Sequence, residues 1–557
     1  MPKTRFIVIT GGVLSGLGKG TATAAIARLL KDHRNIVTVK CDGYLNVDPG
    51  TMNPVEHGEV FVLHDGGEVD MDFGHYERFL GVQCKSDWNL TSGKVFNLLI
   101  SKERKGEFLG KTIQIYPHVP QEIKQWWFHL AEREKADIMT IEIGGTVGDI
   151  ENSWFIEAAR QLKKIVGPEN VMYIHLTYVP FLDSVGEPKT KPAQRDIALL
   201  HETGIHPDII IARSKLPLSQ KLKEKLALFC DVEPRQIISG RDIDTIYEIP
   251  LMFLKEGIYE LINEKFQLND VPSLQQWEAL VSKIKSPKHE VVIGICGKYT
   301  ELRDSYASII EALSHAGAHC DACVRLKWIE VTDIENGKIS ISQALQGVYG
   351  ILVPGGFGSR GTEGKIMMIR HAREHKVPFL GICYGLQLAV VEFARNVCSL
   401  AGANSTEIDT RTPYPVIDVL PEQKMIEAKG GTMRLGAYEA KLLPGTLVSA
   451  LYKNTGAIER HRHRYEVNPV FHALLQQKGL VFSGVSENGR LVEFIELANH
   501  PYFVASQAHN ELTSRLEQPN PLFYGFVKAS LCAKTNEGNA QHNQSNPSPL
   551  QSIHSLS

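Results

Sequence analysis

A strand-like run that ends in glycines and leads into a helix limits the possible folds of this chain more than any other segment. Residues 5–10 read RFIVIT, and residues 10–24 read TGGVLSGLGKGTATA. Further apolar runs, IVTVK, DIMTIEI, VMYIHLT and DIIIARS, alternate with helical stretches over the first half of the chain. This alternation is typical of α/β proteins, in which helices cover a mostly parallel sheet. We therefore predict an α/β fold.

The glycine-rich stretch is similar to a phosphate-binding P-loop but departs from it. In the P-loop pattern G-x-x-x-x-G-K-[ST], backbone N–H groups hold phosphates, the lysine reaches the β- and γ-phosphates, and the last hydroxyl binds Mg²⁺. Here Gly12 is one residue too far from Gly18 and Lys19, and the next residue, Gly20, has no side chain. The metal must therefore take its protein ligands from elsewhere.

Acidic residues elsewhere in the first half of the chain are candidates for these ligands. Glu142 ends the run DIMTIEI before a glycine turn, where P-loop folds place a carboxylate that faces the phosphates. Asp70 and Asp72 alternate in EVDMDFGHYERF, so both can point to one side of an extended segment. Solvated loop acids are the alternative interpretation. Because Mg²⁺ prefers oxygen ligands, we predict that Asp72 and Glu142 bind it.

A second strand–turn–helix unit carries a different chemistry. In PFLGICYGLQLAVVEFAR, the spacing of Gly381, Cys383 and Gly385 matches a nucleophile elbow, in which the helix N-terminus lowers the pKa of the nucleophile. A merely buried cysteine is the alternative. His509 in SQAHNELTS can act as a base, and Glu511 can orient it. The glycines of LVPGGFG provide N–H groups for an oxyanion hole.

Composition and patterning divide the chain and exclude some classes of protein. We predict a first domain at residues 1–268, a linker with a short helix at 269–289, a second domain at 290–532 and a disordered polar tail at 533–557. A net charge of −3 gives no reason to expect a nucleic-acid or membrane surface. No signal peptide or membrane span is apparent, and nine scattered cysteines suit a reducing compartment. We expect a cytoplasmic protein.

The order of the motifs resembles that of CTP synthases over about residues 3–530. The matching stretches are NVDPGTMNP, HGEVFV, GHYERF, KERKGEFLGKT, IEIGGTVGDIE, KTKPAQ, ALFCDVEP, VPGGFGSRGTEGK, GICYGLQLA, NSTE, GGTMRLG and ERHRHRYEVNP. The resemblance implies a synthetase (amidoligase) domain with a P-loop-type, mostly parallel sheet, followed by a class I glutamine amidotransferase α/β domain. It also implies a stretched P-loop with glycine after the lysine, and metal ligands at Asp72 and Glu142.

The resemblance further implies a ligase of pyrimidine biosynthesis. ATP would phosphorylate O4 of UTP, and ammonia released from glutamine would cross between the domains and displace the phosphate to give CTP. The implied cofactor is Mg²⁺ with ATP, without an organic prosthetic group. GTP is the implied allosteric activator, CTP the feedback inhibitor, and the assembly a homotetramer.

Site residues carried over from the resemblance fall into four groups. The catalytic residues are Cys383, His509 and Glu511. ATP is assigned to Ser15, Gly16, Leu17, Gly18, Lys19, Gly20, Lys40, Asp72 and Asp242. UTP and CTP are assigned to Ser15, Asp149, Ile150, Glu151, Lys189, Thr190, Lys191, Pro192, Ala193, Gln194 and Lys225. Glutamine is assigned to Gly356, Tyr384, Gly385, Leu386, Gln387, Glu407 and Arg464.

Four positions depart from the family pattern. Gly43 replaces a proline, which removes a fixed φ beside the nucleotide, and Ala193 replaces a threonine, which removes a hydroxyl near UTP. Ala508 and Asn510 replace the phenylalanine and proline that flank the catalytic histidine. We expect the last two changes to loosen His509, so that restoring phenylalanine and proline raises the glutamine-dependent rate.

Two alternative functions remain open at this point. A cobyrinate-type amidase has the same pairing of domains, but the segments KTKPAQ and ALFCDVEP favour UTP as the substrate. A weakly active, filament-forming scaffold is the other alternative. Retention of the lysine, the carboxylates and the triad counts against it.

Overall fold

The computed structural model describes residues 4–14, 16–52, 58–184, 186–298, 303–419 and 433–545. Two compact units comprise Met1–Val281 and Ser282–Ser557. Ser15, to which we assigned both nucleotides, and residues 546–557 of the predicted tail lie outside the described residues. Over the described part of the chain, no helix combines the length and the apolar character that crossing a membrane requires.

The first unit contains eleven of the described strands and ten of the described helices. The strands are β1 Arg5–Gly11, β2 Ile36–Asp42, β3 Phe61–Val62, β4 Glu68–Val69, β5 Asn89–Thr91, β6 Ile138–Ile143, β7 Val171–Tyr178, β8 Phe181–Leu182, β9 Glu187–Pro188, β10 Ile209–Ser214 and β11 Ile237–Arg241. The helices are α1 Lys19–Leu30, α2 Asp72–Leu80, α3 Ser92–Arg104, α4 Ile115–Arg133, α5 Ser153–Val166, α6 Lys191–Glu202, α7 Gln220–Cys230, α8 Ile249–Lys255, α9 Ile258–Phe266 and α10 Gln275–Lys285, which continues into the second unit.

Seven strands of the first unit form one parallel sheet in the order β11-β10-β7-β1-β6-β2-β5. The central strand β1 and its neighbour β6 are buried almost throughout. Apolar burial on both faces is what a parallel sheet covered by helices requires. The predicted parallel α/β fold is therefore confirmed for this unit. Since all the strands run the same way, β1, β2 and β6 end at the same edge, where the glycine-rich loop and Glu142 lie.

The segment that we interpreted as a linker carries α10, and its N-terminal half packs into the first unit. Trp277 is fully buried, its ring lies against Phe79 and Tyr247, and its indole N–H donates to the carbonyl oxygen of Tyr247 at 2.7 Å. The two units divide after Val281, within this helix. The predicted linker thus begins as part of the first core.

The second unit contains the remaining described strands and helices. The strands are β12 His289–Gly297, β13 Ala322–Glu330, β14 Gly350–Val353, β15 Phe379–Ile382, β16 Ala403–Ser405, β17 Tyr414–Val419, β18 Arg434–Leu442, β19 Gly456–His463, β20 Tyr465–Val467, β21 Val481–Ser486, β22 Val492–Glu496 and β23 Phe503–Ser506. The helices are α11 Ala307–His319, α12 Val331–Glu335, α13 Ile341–Ala344, α14 Thr362–His375, α15 Tyr384–Asn396, α16 Leu447–Tyr452, α17 His472–Gln477 and α18 Pro521–Ser545.

Nine strands of the second unit form a mixed sheet in the order β13-β12-β14-β15-β23-β22-β21-β18-β19. The pairs from β13 to β23 are parallel, and those from β23 to β19 are antiparallel. Two clusters of buried hydrophobic side chains form the core of this unit. Because β15 and β23 are neighbours, the residues that follow them meet at one edge of the sheet.

The last helix is longer than the sequence led us to expect. Helix α18 extends to Ser545, whereas we ended the second domain at residue 532 and predicted a disordered tail from residue 533. The boundary therefore falls inside a helix, which corrects the prediction for residues 533–545. Polarity misled us, because the segment TNEGNAQHNQS contains a single glycine and no proline, and proline is the strongest helix breaker.

Candidate functional site

The glycine at position 20 is explained by the carboxylate of Asp72. A Cβ atom added at Gly20 would lie 1.9 Å from Oδ1 of Asp72, so a side chain there would overlap the carboxylate. Asp72 begins α2, and its backbone N–H donates to Oδ1 of Asp70 at 3.0 Å. The space that a P-loop hydroxyl would fill is thus taken by an acid from another helix.

Asp72 and Glu142 form one cluster around Lys40. The Lys40 ammonium donates to Oδ2 of Asp72 and, at 3.0 Å, to Oε1 of Glu142. The hydroxyl of Tyr76, one turn after Asp72 on α2, donates to the other oxygen of Glu142. Asp42 lies 3.9 Å from the same ammonium group. Lys40 thus holds both predicted metal ligands in one place.

Burial and mutual charge control ionisation in this cluster. Burial raises the pKa of Glu142, and burial with the neighbouring acids raises the pKa of Asp42 to about 7. Burial alone would raise the pKa of Asp72, but the charge of Lys40 and its hydrogen bond, together with the charge of His75, lower it below its ordinary value. Burial lowers the pKa of Lys40, but the charges of Asp72 and Glu142 reverse this and hold it well above its ordinary value.

The two carboxylates suit a Mg²⁺ ion that is shared with phosphates. No group of three or more His, Cys, Asp or Glu side chains in the described ranges is arranged to hold a metal by itself. Mg²⁺ usually takes one or two carboxylates and completes its shell with phosphate oxygens and water. Asp72 and Glu142 therefore fit the part of the shell that a protein provides for a metal–nucleotide complex.

The glycine-rich loop borders a cavity of about 230 Å³. Gly16, Leu17 and Gly18 lie on one side and Asp242 on another, and the remaining walls are largely apolar. Lys19 begins α1, and its ammonium donates to the carbonyl oxygen of Gly145 at 2.7 Å. The structure thus brings the described ATP residues together around one cavity and the carboxylate cluster.

The first pyrimidine segment, residues 149–151, lies in the loop after β6. Val147 N–H in this loop donates to the carbonyl oxygen of Gly11 at 2.9 Å, which joins the loop to the end of β1. Asp149 accepts from the N–H of Thr146 at 3.1 Å. Ile150 is 77% exposed, and Glu151 is also exposed, so both can contact a ligand.

The second pyrimidine segment, residues 189–194, leads into α6. Lys191 and Pro192 form the first turn, and Gln194 donates to Oγ1 of Thr190 at 3.1 Å. Lys189 pairs with Glu187, whose pKa is also lowered by the charge of Lys225. Lys225 is exposed on α7. The three lysines at positions 189, 191 and 225 are therefore available at the surface.

Cys383 has the geometry of a nucleophile elbow between β15 and α15. Its φ of 50° lies in the left-handed region, which is strained for a residue with a side chain, and it caps the N-terminus of α15. Its N–H donates to the carbonyl oxygen of Ser506 on β23 at 2.7 Å. A Cβ added at Gly385 would lie 2.3 Å from the carbonyl oxygen of Val353. The turn is therefore as tight as the Gly-x-Cys-x-Gly spacing predicted.

His509 lies between Cys383 and Glu511. Its Nδ1 lies 2.7 Å from Oε1 of Glu511. On the other side, a Cβ atom added at Gly355 would lie 2.8 Å from Cε1 of His509, so the ring packs directly on this glycine. Burial lowers the pKa of His509, but the charges of Glu511 and Cys383 and hydrogen bonds to both raise it well above its ordinary value. Such a histidine can accept the proton of the thiol and remain paired with the thiolate.

Four of the residues assigned to glutamine, Tyr384 to Gln387, follow Cys383 directly at the start of α15. The Tyr384 hydroxyl donates to the carbonyl oxygen of Gly358 at 3.0 Å, and the N–H of Gly358 donates to Glu407 at 3.0 Å. The Gln387 side-chain amide donates to the carbonyl oxygen of Tyr465 at 3.1 Å. Burial and the charge of Glu407 raise the pKa of the Tyr465 hydroxyl, and the charge of Arg464 opposes this shift. The remaining assigned residues, Gly356, Gly385 and Leu386, lie in the same loop and helix.

Comparison with known proteins gives a consistent result over the whole chain. The family model described as CTP synthase N-terminus matches residues 5–268, and the one described as glutamine amidotransferase class-I matches residues 301–529. CTP synthases of Methanococcus maripaludis and Methanocaldococcus jannaschii are 53% and 54% identical to the chain, each over 95% of it and 99% of the relative. The chain belongs to the CTP synthase family.

Among solved structures, the glutaminase domain of a Trypanosoma brucei CTP synthase with bound acivicin matches with 32% sequence identity and a TM-score of 0.41. The match covers 43% of this chain and 93% of that one. Membership of the CTP synthase family confirms the predicted synthetase and class I amidotransferase domains. The corrin amidase alternative is not favoured, because the relatives match along nearly their full length.

Departures from the CTP synthase pattern are accommodated by the packing. Ala193 is fully buried in the apolar cluster that contains Val179 and Leu226, so its side chain does not reach an open phosphate site. Ala508 and Asn510 are each 1% exposed, and the Asn510 amide donates to the Tyr452 hydroxyl at 3.0 Å. Our expectation that His509 is loosened is therefore not supported by the packing. Phenylalanine in place of Ala508 would overfill the core.

Several CTP synthase residues at the site escaped sequence reasoning. Nδ1 of His175 is hydrogen-bonded to the Thr10 hydroxyl at 2.8 Å, and its Nε2 is hydrogen-bonded to Oδ2 of Asp196 at 3.0 Å. These bonds connect the end of β1 to α6, the helix that the second pyrimidine segment enters. The ammonium of Lys365, whose pKa burial lowers to about 8, lies 5.1 Å from the centre of the Tyr384 ring. Tyr76 was the one with a sequence signal, since it lies four residues after Asp72 on the same helical face.

Gly43 leads to a prediction about UTP binding. A Cβ at this position would lie 2.7 Å from the carbonyl oxygen and 2.9 Å from the carbonyl carbon of Glu151, so the pyrimidine loop packs directly on the glycine. We expect Gly43→Ala to displace this loop and raise the KM for UTP by about 10-fold in ammonia-dependent CTP synthesis. Steady-state kinetics with varied UTP check this. Glutamate release from glutamine by the same variant is the internal control, and an unchanged KM for UTP would contradict the prediction.

Proposed function

We propose that the chain converts UTP to CTP with ATP and with ammonia taken from glutamine, at the residues described above. The observation that carries this proposal is that one chain has two separate sets of catalytic groups. One is a cavity at the glycine-rich loop, which leads to Gly20 and the cluster of Lys40, Asp72 and Glu142. The other is the Cys383–His509–Glu511 arrangement. The first set suits phosphoryl transfer, and the second suits release of ammonia from an amide.

In the synthetase step, O4 of UTP attacks the γ-phosphorus of ATP, the bond to the β-phosphate oxygen breaks, and ADP leaves. Lys19 directly follows the glycine-rich loop that would hold the phosphates, and its positive charge opposes the negative charge that is transferred. Asp72 and Glu142 would hold Mg²⁺, which supplies further neutralisation of the phosphate charge when bound with ATP. Ammonia then attacks C4, phosphate leaves, and CTP is formed.

In the glutaminase step, the Cys383 thiolate attacks the side-chain amide carbon of glutamine. His509 takes the thiol proton and passes it to the departing nitrogen, and Glu511 stabilises the protonated imidazole. Ammonia leaves, and water hydrolyses the glutamyl thioester to glutamate. Glu407 suits the amino group of glutamine and Arg464 its carboxylate. Transfer of ammonia inside the protein keeps it unprotonated and therefore nucleophilic.

The proposal extends to regulation and assembly by resemblance to the family. GTP is the proposed activator, CTP the feedback inhibitor and a homotetramer the active assembly. A surface feature supports assembly, because Leu228 and Phe229 on α7 are 80% and 58% exposed, close in sequence to Lys225. We also propose a cytoplasmic location, since none of the nine cysteines forms a disulfide, and all nine lie among the described residues.

Adding UTP together with ATP is expected to convert dimers into tetramers. The physical reason is that Lys225 lies on the same helix, α7, as the exposed Leu228 and Phe229, so a bound triphosphate reduces charge repulsion at that surface. Sedimentation velocity at fixed protein concentration measures the change. Uridine, which lacks the phosphates, is the control and should leave the dimer in place. One unchanged species with and without both nucleotides would contradict the prediction.

One assay tests the function as a whole. The purified chain is given UTP, ATP and Mg²⁺ with glutamine and, separately, with ammonium, and CTP is measured by chromatography. CTP is expected from both nitrogen sources. A corrinoid acid in place of UTP is expected to remain unamidated. Absence of CTP with ammonium would refute the synthetase assignment, and CTP from ammonium without any from glutamine would refute the glutaminase assignment.

A further inference from the structure

A buried polar network lies directly behind the proposed triad. Its centre is Glu459 on β19, which is 4% exposed. Oε1 of Glu459 accepts from the Tyr452 hydroxyl at 2.5 Å and from the Asn520 amide at 2.8 Å, and Oε2 accepts from the Thr513 hydroxyl at 2.8 Å. A buried carboxylate with this many donors is held in one orientation, because losing any donor leaves a buried charge poorly solvated.

Two connections join this network to the triad segment. The Asn510 amide, between His509 and Glu511, donates to the Tyr452 hydroxyl at 3.0 Å. The Thr513 hydroxyl lies 3.1 Å from the carbonyl oxygen of Asn510. Both ends of the short turn 510–513 are therefore attached to side chains that bind Glu459.

The backbone gives a third connection on the same strand. The N–H of His509 donates to the carbonyl oxygen of Arg460 at 2.7 Å, and Arg460 follows Glu459 on β19. Strand β19 therefore contacts this segment twice. The backbone of Arg460 binds His509, the residue before the turn, and the side chain of Glu459 binds the turn itself. Burial raises the pKa of Glu459 above its ordinary value, although the hydrogen bonds from its neighbours oppose this shift.

We propose that Glu459, Tyr452, Thr513 and Asn510 are positioning residues for glutamine hydrolysis, because they hold the 510–513 turn and so fix Glu511 against His509. Asn510 supplies by hydrogen bonding the rigidity that a proline ring supplies in the family pattern. This inference rests on the proposed glutaminase function. It predicts that Asn510→Pro lowers the glutamine-dependent rate, since proline has no amide side chain to donate to Tyr452.

Thr513→Val and Tyr452→Phe test the network, since each removes one hydroxyl and little volume. We expect each to lower kcat for glutamate release by about 10-fold with the KM for glutamine within about 2-fold, because base orientation is lost and substrate contacts are kept. Thr513→Ser retains the hydroxyl and should restore most of the rate. Tyr414→Phe, at an exposed tyrosine, is the matched control and should behave as the unchanged protein.

A second measurement separates positioning from general stability. The rate of iodoacetamide alkylation of Cys383 is followed against pH in the full chain. If Glu511 no longer supports the protonated His509, the pH midpoint of alkylation should rise by about one unit in Thr513→Val and Tyr452→Phe. Ammonia-dependent CTP synthesis should stay unchanged in both.

Two outcomes would overturn the proposal. One is an unchanged kcat and an unchanged alkylation profile in Thr513→Val and Tyr452→Phe. The other is an equal fall of the glutamine- and ammonia-dependent rates, which would mean that the network only stabilises the chain. Failure of the proposed function itself appears in the unchanged protein as a lack of CTP synthesis, whereas alkylation of Cys383 requires no CTP synthesis and still tests the network.

Discussion

Cys383→Ala is expected to end glutamine-dependent CTP synthesis and to leave ammonia-dependent synthesis within about 2-fold of the unchanged protein. The variant lacks the thiol that His509 activates, and loss of a comparable nucleophile costs on the order of 10⁶-fold in kcat. The synthetase residues lie in the other unit and are not altered. CTP formation with each nitrogen source is the measurement.

The control for this variant is Cys532→Ala, which removes an exposed cysteine on α18, a different helix from the one that Cys383 caps. It should retain both activities. Glutamate release by Cys383→Ala above background would show that another group attacks the amide. A parallel loss of ammonia-dependent synthesis would show that the substitution disturbs more than the glutaminase site.

Asp72→Ala and Glu142→Ala are each expected to abolish CTP synthesis from both nitrogen sources, by roughly 10³-fold or more. Each removes one of the two carboxylates that fit the protein part of a Mg²⁺ shell, and each leaves the Lys40 ammonium with one strong partner fewer. Glutamate release should change much less. CTP formation from ammonium, measured over a range of Mg²⁺ concentrations, gives the decisive comparison.

Glu103→Ala is the control, because this acid forms an exposed pair with Arg104 at the end of α3. Its activities should match those of the unchanged protein, since exposed ion pairs contribute little to stability. Near-normal ammonia-dependent synthesis by Asp72→Ala would mean that the carboxylate against Gly20 has no part in metal binding.

The strands and the two sequence-local motifs could be predicted, because each depends on a short stretch of chain. The apolar runs that we interpreted as strands form β1, β2, β6, β7 and β10. The elbow at Cys383 needs only a strand, two glycines and a helix in succession. Gly20 could be recognised as unusual from its position alone. Asp72 and Glu142 could be predicted from residue type as replacements for the missing hydroxyl.

Contacts between distant side chains could not be predicted in this way. Tyr76 meets Glu142 across 66 residues, and His175 meets Thr10 across 165. Asn510 shows the same limit: a comparison of residue types shows a lost proline, whereas the hydrogen bond of Asn510 to Tyr452, 58 residues earlier, is visible only in the structure. The polar tail was misjudged because composition indicates exposure and does not by itself exclude a helix.

The strand order of the second sheet sets a sequence of events during synthesis. Strand β23, the last of the described strands, lies in the sheet between β15 and β22, and it leads directly to His509 and Glu511. Cys383 is therefore made more than a hundred residues before its base and cannot be activated until β23 inserts beside β15. Domains generally fold from the N-terminus onward as they emerge from the ribosome. The first unit is thus synthesised before the second, and the nucleophile of the second unit has no base until β23 and the residues after it are made.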